Sequence, residues 1–581
     1  MNSNKAVKST KPLFYLIAIL IPIVVLVGLE SLLRVLNYGE KQAAFIPVPQ
    51  LSGYLQPNPR LIERYFSVPE LAPKVSPDTV YFKAQKAKDT FRIVIQGGSS
   101  AAGFPFGRFG SLQGMLQQRF KLAYPDKNIE IINTAMAAVN TFTLVDIQDE
   151  ILQLEPDLVL VYAGHNEYLG VLGAGSVMGA QSSYGTTLMY LKLKSLRLFK
   201  FLEASYQHFK VDAVPSDQAN RTVMASAAKG QNIPMDSAVY QQGIHQFSGN
   251  LDLLLSKYKQ EGVPVYIGNL VSIEKDLIPF SGMNQAYQHA LGLFEAKEYE
   301  QAKQSFILAK DLDELRFRAP SEFNDIIKAK AKEYDATLVD VETKFREAAP
   351  QGILDHSLLL EHVHPTKLGY FLLADAFFES LVTSEIPWVA NLETNNAKEW
   401  SPISELNERY AVLKMQNLMN GFPFTDTPKI LPKIAVETAF DQLLLRRLKG
   451  ENWLLLQQDL LKFYLQANNL KQAALVAGII ADALVASAES HNTAANLFRK
   501  ANQLNLALYH QRQSLRLDPD SEKYQMNLAF DLFLANRFDE SLLLLHNVKQ
   551  NTQDLPRVTF FIDKVSTAKE AFSKFKELPE R

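Results

Sequence analysis

Five short apolar runs constrain what this chain can fold into more than any other feature. They read FRIVIQ (91–96), IEIINTA (129–135), LVLVYAG (158–164), VPVYIGNLV (263–271) and TLVDV (337–341). Each is rich in β-branched residues and almost unbroken in apolar character, the pattern of a strand covered on both faces. Helical stretches such as SLQGMLQQRFKLAY and NLDLLLSKYKQEG lie between them. Strands alternating with helices predict βαβ units, hence a parallel α/β sheet with right-handed crossovers. Two connections, 170–245 and 283–333, are too long for simple crossovers and read as helical insertions. The first holds a Gly-rich loop and then TTLMYLKLKSLRLFKFLEASYQHF, basic and apolar at once. It reads as a core-covering helix with a solvated Lys face; a helix lying on a membrane surface near the N-terminal apolar run is the other reading.

With 581 residues the chain is too long for one core, and two or three domains are expected. From Leu13 to Leu29 the sequence LFYLIAILIPIVVLVGL carries no charge, and Ser31–Leu33 extend it. Lys5, Lys8 and Lys11 precede the run and no acid does. This reads as a membrane helix with the N-terminus cytoplasmic and the bulk of the chain outside. No small-x-small cleavage site follows it, so an uncleaved anchor is expected over a signal peptide. Residues 1–37 are then tip and anchor, and the Pro-spaced 38–88 a linker or packing arm. The α/β domain covers 89–390 and a helical domain 400–581. In that last domain ANNLKQA, ANQLNLA and ANRFDES begin at Ala467, Ala501 and Ala535, a 34-residue period typical of tetratricopeptide helix pairs. AKEYEQA, from Ala296, has the same form in single copy. The 60 basic and 62 acidic residues give a net charge of −2, so no nucleic-acid partner is expected. The absence of cysteine excludes disulfides, thiolate catalysis and Cys-ligated metal.

The first apolar run ends in GGSSAAGFPF (97–106), a turn suited to presenting a hydroxyl of Ser99 or Ser100. A nucleophilic serine needs a base, a group to orient that base, and donors for the oxyanion. In open α/β sheets these gather at the carboxyl ends of the strands. The third strand ends in YAGHNEYLG, where Asn166 offers a side-chain N–H. The second ends in INTAMAAVNT, a turn of small residues able to offer a backbone N–H. LLLEHVHPTKLGY places His364 three residues after Glu361, within reach of the ring nitrogen that fixes its tautomer. As a metal site EHVH offers two histidines and one carboxylate, too few without a further cluster, so no metal and no cofactor are expected.

The order Ser, Asn, Glu, His resembles that of the SGNH, or GDSL-like, hydrolase family. Four short blocks over roughly residues 90–385 carry the resemblance. It implies a three-layer α/β fold with a flavodoxin-like parallel sheet, and Ser99 as nucleophile, with Ser100 the rival. His364 is implied as base, oriented by Glu361, and His362 is a rival base. The Ser99 N–H, the Ala138 N–H and the Asn166 amide are implied as oxyanion donors, supported by Gly98, Gly164 and Glu167. The chain departs from the family pattern at Gly98 (for Asp), Ala138 (for Gly), Glu167 (for Asp) and Glu361 (for Asp). The membrane anchor and the repeats look like a bacterial envelope subgroup of the family, as does DLDELRFRAP (311–320), which has no assigned chemistry. The expected function is a serine esterase acting through an acyl-enzyme on O-acyl esters of a glycan or lipid, at the bacterial inner membrane with the bulk of the chain periplasmic. An O-acyltransferase using the same triad is one alternative. The other is an envelope scaffold that recruits a protein partner through its repeats.

Overall fold

In the computed structural model the first described element is helix α1 (Lys11–Val35), which contains Pro22. The described residues are 11–66, 69–176, 183–210, 232–384, 388, 397–431 and 434–576. The stretch Phe14–Val35 of α1 is long and apolar enough to cross a membrane, and its apolar window is not buried by the rest of the chain. At 1.5 Å per residue it spans about 33 Å, against about 30 Å for a hydrocarbon core.

Segment 38–88 is not a free linker. Strands β1 (Phe45–Pro47), β2 (Tyr54–Pro57) and β3 (Phe82–Lys83) form a small antiparallel sheet. Ala44, Leu61, Ile62, Tyr65 and Phe82 join the main core. Strands of two to four residues are too short to show a period, which is why the sequence alone leaves linker and packing arm both open.

All five apolar runs form strands: β4 (Thr90–Gly97), β5 (Asn128–Asn133), β6 (Leu158–Tyr162), β7 (Val265–Gly268) and β8 (Thr337–Val339). They pair in parallel in the order β5-β4-β6-β7-β8. This is the flavodoxin-like sheet expected. Ile93, Val94, Ile95, Leu158, Val159 and Leu160 are fully buried, as unbroken apolar strands require. Because β4 lies between β5 and β6, the chain leaves it in opposite directions across the sheet. The end of β4, which is GGSS, therefore overlooks the crevice at the switch point.

Around this sheet lie α2 (Ser99–Ala102), α3 (Leu112–Ala123), α4 (Thr141–Leu152), α5 (Tyr184–Leu193), α6 (Arg197–Lys210) and α7 (Ala238–Gln260). There follow α8 (Gln285–Glu295), α9 (Tyr299–Asp311), α10 (Ser321–Glu333), α11 (Val341–Ala348) and α12 (Lys367–Ser384). Helix α12 packs with α3 and α11 in one layer, and α7 with α4 and α10 in the other. Helix α10 packs on β7 and β8 as the crossover between them, so the second insertion is narrower than 283–333: its inserted part is the α8–α9 hairpin. Part of the first insertion, 177–182 at the end of its Gly-rich loop and 211–231, lies outside the described residues.

The C-terminal half is helical: α13 (Glu405–Met419), α14 (Ala439–Leu448), α15 (Trp453–Gln466), α16 (Leu470–Ala483), α17 (Ala488–Lys500), α18 (Leu504–Leu517), α19 (Glu522–Leu534), α20 (Phe538–Asn551) and α21 (Leu555–Lys576). The 34-residue period has a local cause. Asn468, Asn502 and Asn536 stand at the hairpin turns with φ of 53°, 58° and 57°. Each ends its helix with the paired bonds of a Schellman turn, for example Gln503 N to Phe498 O (2.8 Å) and Asn502 N to Arg499 O (3.0 Å). Asparagine is among the few residues that take this left-handed conformation readily. The single-copy motif at Ala296 makes the same turn between α8 and α9, with Lys297 at φ 63°. The repeat half is not separated from the sheet half. Lys121 pairs with Asp482 in the interior, Asn505 donates to Leu122 O (2.9 Å), and Arg537 grips Asp126 (2.8 Å). Ile403 belongs to the main core, while Trp400 packs with the repeats.

Candidate active site

Gly97 ends β4, and the chain turns at Gly98 into the single turn of α2, which begins with Ser99. The Ser99 hydroxyl lies 2.8 Å from His364 Nε2. The other ring nitrogen of His364 lies 2.5 Å from Glu361 Oε1. Two segments 265 residues apart thus meet at one proton-relay geometry. Ser100 is turned away: it is buried and donates to Val363 O at 3.1 Å.

The Glu361 carboxylate, completely buried, curls back over its own loop. Its Oε1 accepts from the backbone N–H of His364 (2.8 Å) and of Val363 (3.3 Å) as well as facing the ring. This is how the extra methylene relative to aspartate is accommodated: the longer side chain reaches the imidazole by folding along the loop. Its second oxygen faces His362 Nδ1. His362 is sealed behind the rings of Phe280, Phe317 and Phe424, 5.7–6.0 Å away between centroids. The structure gives it no contact with Ser99. Glu361, His362 and His364 could present three ligand atoms within 4.8 Å of one another. Both imidazole Nδ1 atoms are turned onto Glu361, and His364 Nε2 onto Ser99, so a cation there would have to displace those contacts.

Burial pulls the His364 imidazole down to about 3, and the Lys414 ammonium adds to the effect. The ring is therefore neutral at ordinary pH, the form able to accept a proton. Lys414 comes from α13, beyond the sheet half, and its Nζ lies 4.6 Å from the centre of the Phe104 ring. That ring in turn sits 4.7 Å from His364. Among the described residues no carboxylate lies within ion-pair distance of Lys414.

The two other strand-end loops are stitched together. Asn166 Nδ2 donates to Val139 O (2.9 Å), and Val171 N to Ala138 O (2.7 Å). Glu167 takes the Thr141 N–H and hydroxyl, both at 2.8 Å, which pins the start of α4. Burial raises Glu167 to about 7, against the pull of these bonds. Ala138 has φ 64°. An alanine in the left-handed conformation thus stands where the family block has glycine, and its N–H has no partner among the described residues. Gly164 cannot be replaced cheaply: at φ 154°, an added Cβ would stand 2.4 Å from Leu270 Cδ1. At Gly98 an added Cβ would come within 3.3 Å of Asn166 Nδ2, so the missing aspartate side chain leaves room for that amide.

Three features were not read from the sequence. His165, buried and drawn down to about 3 by burial with His364 and Lys310 adding, accepts the Ala319 N–H at 3.3 Å. This ties the third block to DLDELRFRAP. That segment is itself knotted by Asp313, which takes Arg318 (2.8 Å) and the N–H groups of Phe280 and Ser281 (2.9 Å each). The segment carries Phe317 and bonds the backbone of Phe280, and both rings lie against His362. Lys414 and Phe424 enter from the C-terminal half, and no motif marks them, because only the tertiary fold brings α13 to the cleft.

Neither a protein-family model nor a curated protein matches the sequence. Among solved structures the chain is similar to a GDSL-like lipase from Bacteroides thetaiotaomicron VPI-5482, at 11% identity over 51% of this chain and 90% of that one, with a TM-score of 0.26. It is similar to a lipase/acylhydrolase from Enterococcus faecalis, at 12% identity over 50% of this chain and 94% of that one, TM-score 0.26. It is also similar to a psychrotrophic esterase from Pseudoalteromonas sp., at 11% identity over 50% of this chain and 96% of that one, TM-score 0.25.

Proposed function

We propose that the chain is a membrane-anchored serine esterase of the SGNH type that acts on O-acyl esters through an acyl-enzyme. The observation that carries this reading is the chain of contacts from Ser99 Oγ through His364 to Glu361. In the proposed reaction Ser99 Oγ attacks the ester carbonyl while its proton passes to His364 Nε2. Glu361 holds the ring in register and stabilises the imidazolium that forms. The tetrahedral oxyanion is held by the N–H groups of Ser99 and Ala138 and by the Asn166 amide. The ester C–O bond then breaks, and the departing alcohol takes the proton from Nε2. Water then attacks the acyl carbonyl and gives a proton to Nε2; the bond from the acyl carbon to Ser99 Oγ breaks, Oγ takes that proton, and the carboxylic acid leaves.

Helix α1 would anchor the enzyme in the bacterial inner membrane, and the lysines before it favour a cytoplasmic N-terminus. The tetratricopeptide-like hairpins would offer a surface for a protein partner. A glycan hydroxyl in place of water would make the same site an acyltransferase. The test is the time course with a chromogenic acyl ester. A burst equal to the enzyme concentration, absent in Ser99→Ala, is expected. A burst retained in Ser99→Ala would overturn the covalent role of this serine.

A further inference from the structure

The insertion read from sequence as a core-covering helix with a solvated Lys face is so only in part: Leu188, Tyr190 and Leu191 of α5 pack on the main core, whereas α6 turns an apolar stripe outward. On α5, α6 and the turn between them, Met189, Leu196, Phe201, Leu202 and Tyr206 are exposed by between 41 and 57%. Leu198, Leu202 and Tyr206 recur every four residues with Phe201 beside them, one stripe of a helix. The residues of this hairpin that turn inward are polar as well as apolar: Lys194 is buried, with Phe66 O at 2.8 Å and Glu203 at 3.0 Å.

The position of α6 says what covers that stripe. Its first turn is fastened to the end of the membrane-length helix. Glu30, on α1, accepts the N–H groups of Arg197 (3.2 Å) and Leu198 (2.8 Å). Arg197 donates to Tyr38 O (3.1 Å), Lys200 to Glu40 O (3.1 Å), and the Tyr38 and Phe201 rings meet edge to face at 5.6 Å. The stripe is therefore continuous with the exposed apolar surface at the end of α1, where Leu32, Val35 and Leu36 are exposed by 52–79%. Beside it lie Lys192, Arg197 and Lys200, while Glu203 is taken up by Lys194. A bilayer containing α1 would end at the level of α6, with acyl chains below and phosphates around it.

We propose that α5 and α6 form an interfacial device that lies in the headgroup layer of the leaflet from which α1 emerges. Phe201, Leu202 and Tyr206 enter the acyl boundary, and Lys192, Arg197 and Lys200 meet anionic lipid phosphates. The inference rests on the reading of α1 as a membrane anchor. With two attachments the domain cannot swivel freely about α1, and the site is held at a set orientation to the bilayer.

The cysteine-free chain allows a direct test. The full chain is reconstituted into vesicles of phosphatidylglycerol and phosphatidylcholine with a single nitroxide at Leu202→Cys, Val24→Cys or Leu543→Cys. Collision with oxygen and with a water-soluble nickel complex reads depth. The expected result is a lipid-exposed label at 24, a shallow lipid-exposed label at 202 and an aqueous label at 543. An aqueous label at 202 beside a lipid-exposed label at 24 would overturn the inference alone. An aqueous label at 24 would overturn the anchor and the inference with it. Lys192→Glu combined with Lys200→Glu should make the label at 202 shallower; no change would overturn the role given to the anionic phosphates.

Discussion

Two pairs of buried histidines, one in each half of the molecule, differ in what stands between them and in what they face. His362 and His364 flank the Glu361 carboxylate, and His364 faces a serine hydroxyl. His491 and His510 in the repeats face each other directly, Nδ1 to Nδ1 at 3.0 Å. Burial lowers all four, His491 to about 4. The comparison separates what a buried imidazole costs from what it does. Neutrality comes chiefly from burial. A general base also needs an acid on one nitrogen and a proton donor on the other, and only the sheet half supplies both.

The left-handed residues sharpen the same contrast. Each repeat turn uses asparagine, a residue suited to it, whereas the strand-end loop beside Ser99 uses Ala138. The N–H proposed to face the oxyanion thus sits on a left-handed alanine, whereas the three turns of the 34-residue repeat use the residue that takes this conformation readily.

The largest expected difference between the pairs is in activity. Glu361→Gln should lower kcat by roughly 10⁴-fold through loss of the correct tautomer, as when the acid of a serine triad is neutralised. His491→Gln should leave kcat unchanged in steady-state ester hydrolysis. Stability comes next. These histidines have lower pKa values folded than unfolded, so below about pH 6.5 the unfolded chain binds protons that the folded chain refuses. Stability is complete above that pH and falls with acidification, by about 1.4 kcal/mol per pH unit for each histidine until its folded pKa is reached. Denaturant titrations between pH 7 and 4.5 should show this, and His510→Phe should reduce the slope.

Smaller effects of opposite sign are expected at the left-handed positions. Ala138→Gly should stabilise by about 0.5–1 kcal/mol, relief of strain outweighing the added unfolded entropy. Asn502→Ala should destabilise by about 1 kcal/mol. Equal signs in chemical denaturation would break the contrast between the halves. The smallest effect concerns Lys414. Because His364 is held low, kcat/KM should not fall on acidification through pH 6.5. Lys414→Met removes a cation that helps hold it low, so the acid limb should move to higher pH by a fraction of a unit.

Much of the fold was legible in the sequence because parallel strands announce themselves as unbroken β-branched runs, and a 34-residue period is visible without knowing its cause. Ser99 was legible as a hydroxyl at a strand end and Glu361 and His364 as a spaced pair, and the structure brings the three together. What escaped depends on contacts distant in sequence. β1 to β3 are too short to carry a period, Lys414 and Phe424 reach the cleft only because α13 folds back, and the apolar stripe of α6 reads the same whether it covers a core or a bilayer. Ala138 hides its left-handed backbone behind the most ordinary of side chains.

The central claim is that Ser99 is activated by His364. Its most direct test is reaction of the full chain with a fluorophosphonate, the adduct being located by mass spectrometry. The account predicts a single adduct on Ser99 that His364→Ala abolishes. A folded protein that stays unlabelled, or an adduct on Ser99 that persists in His364→Ala, would contradict it.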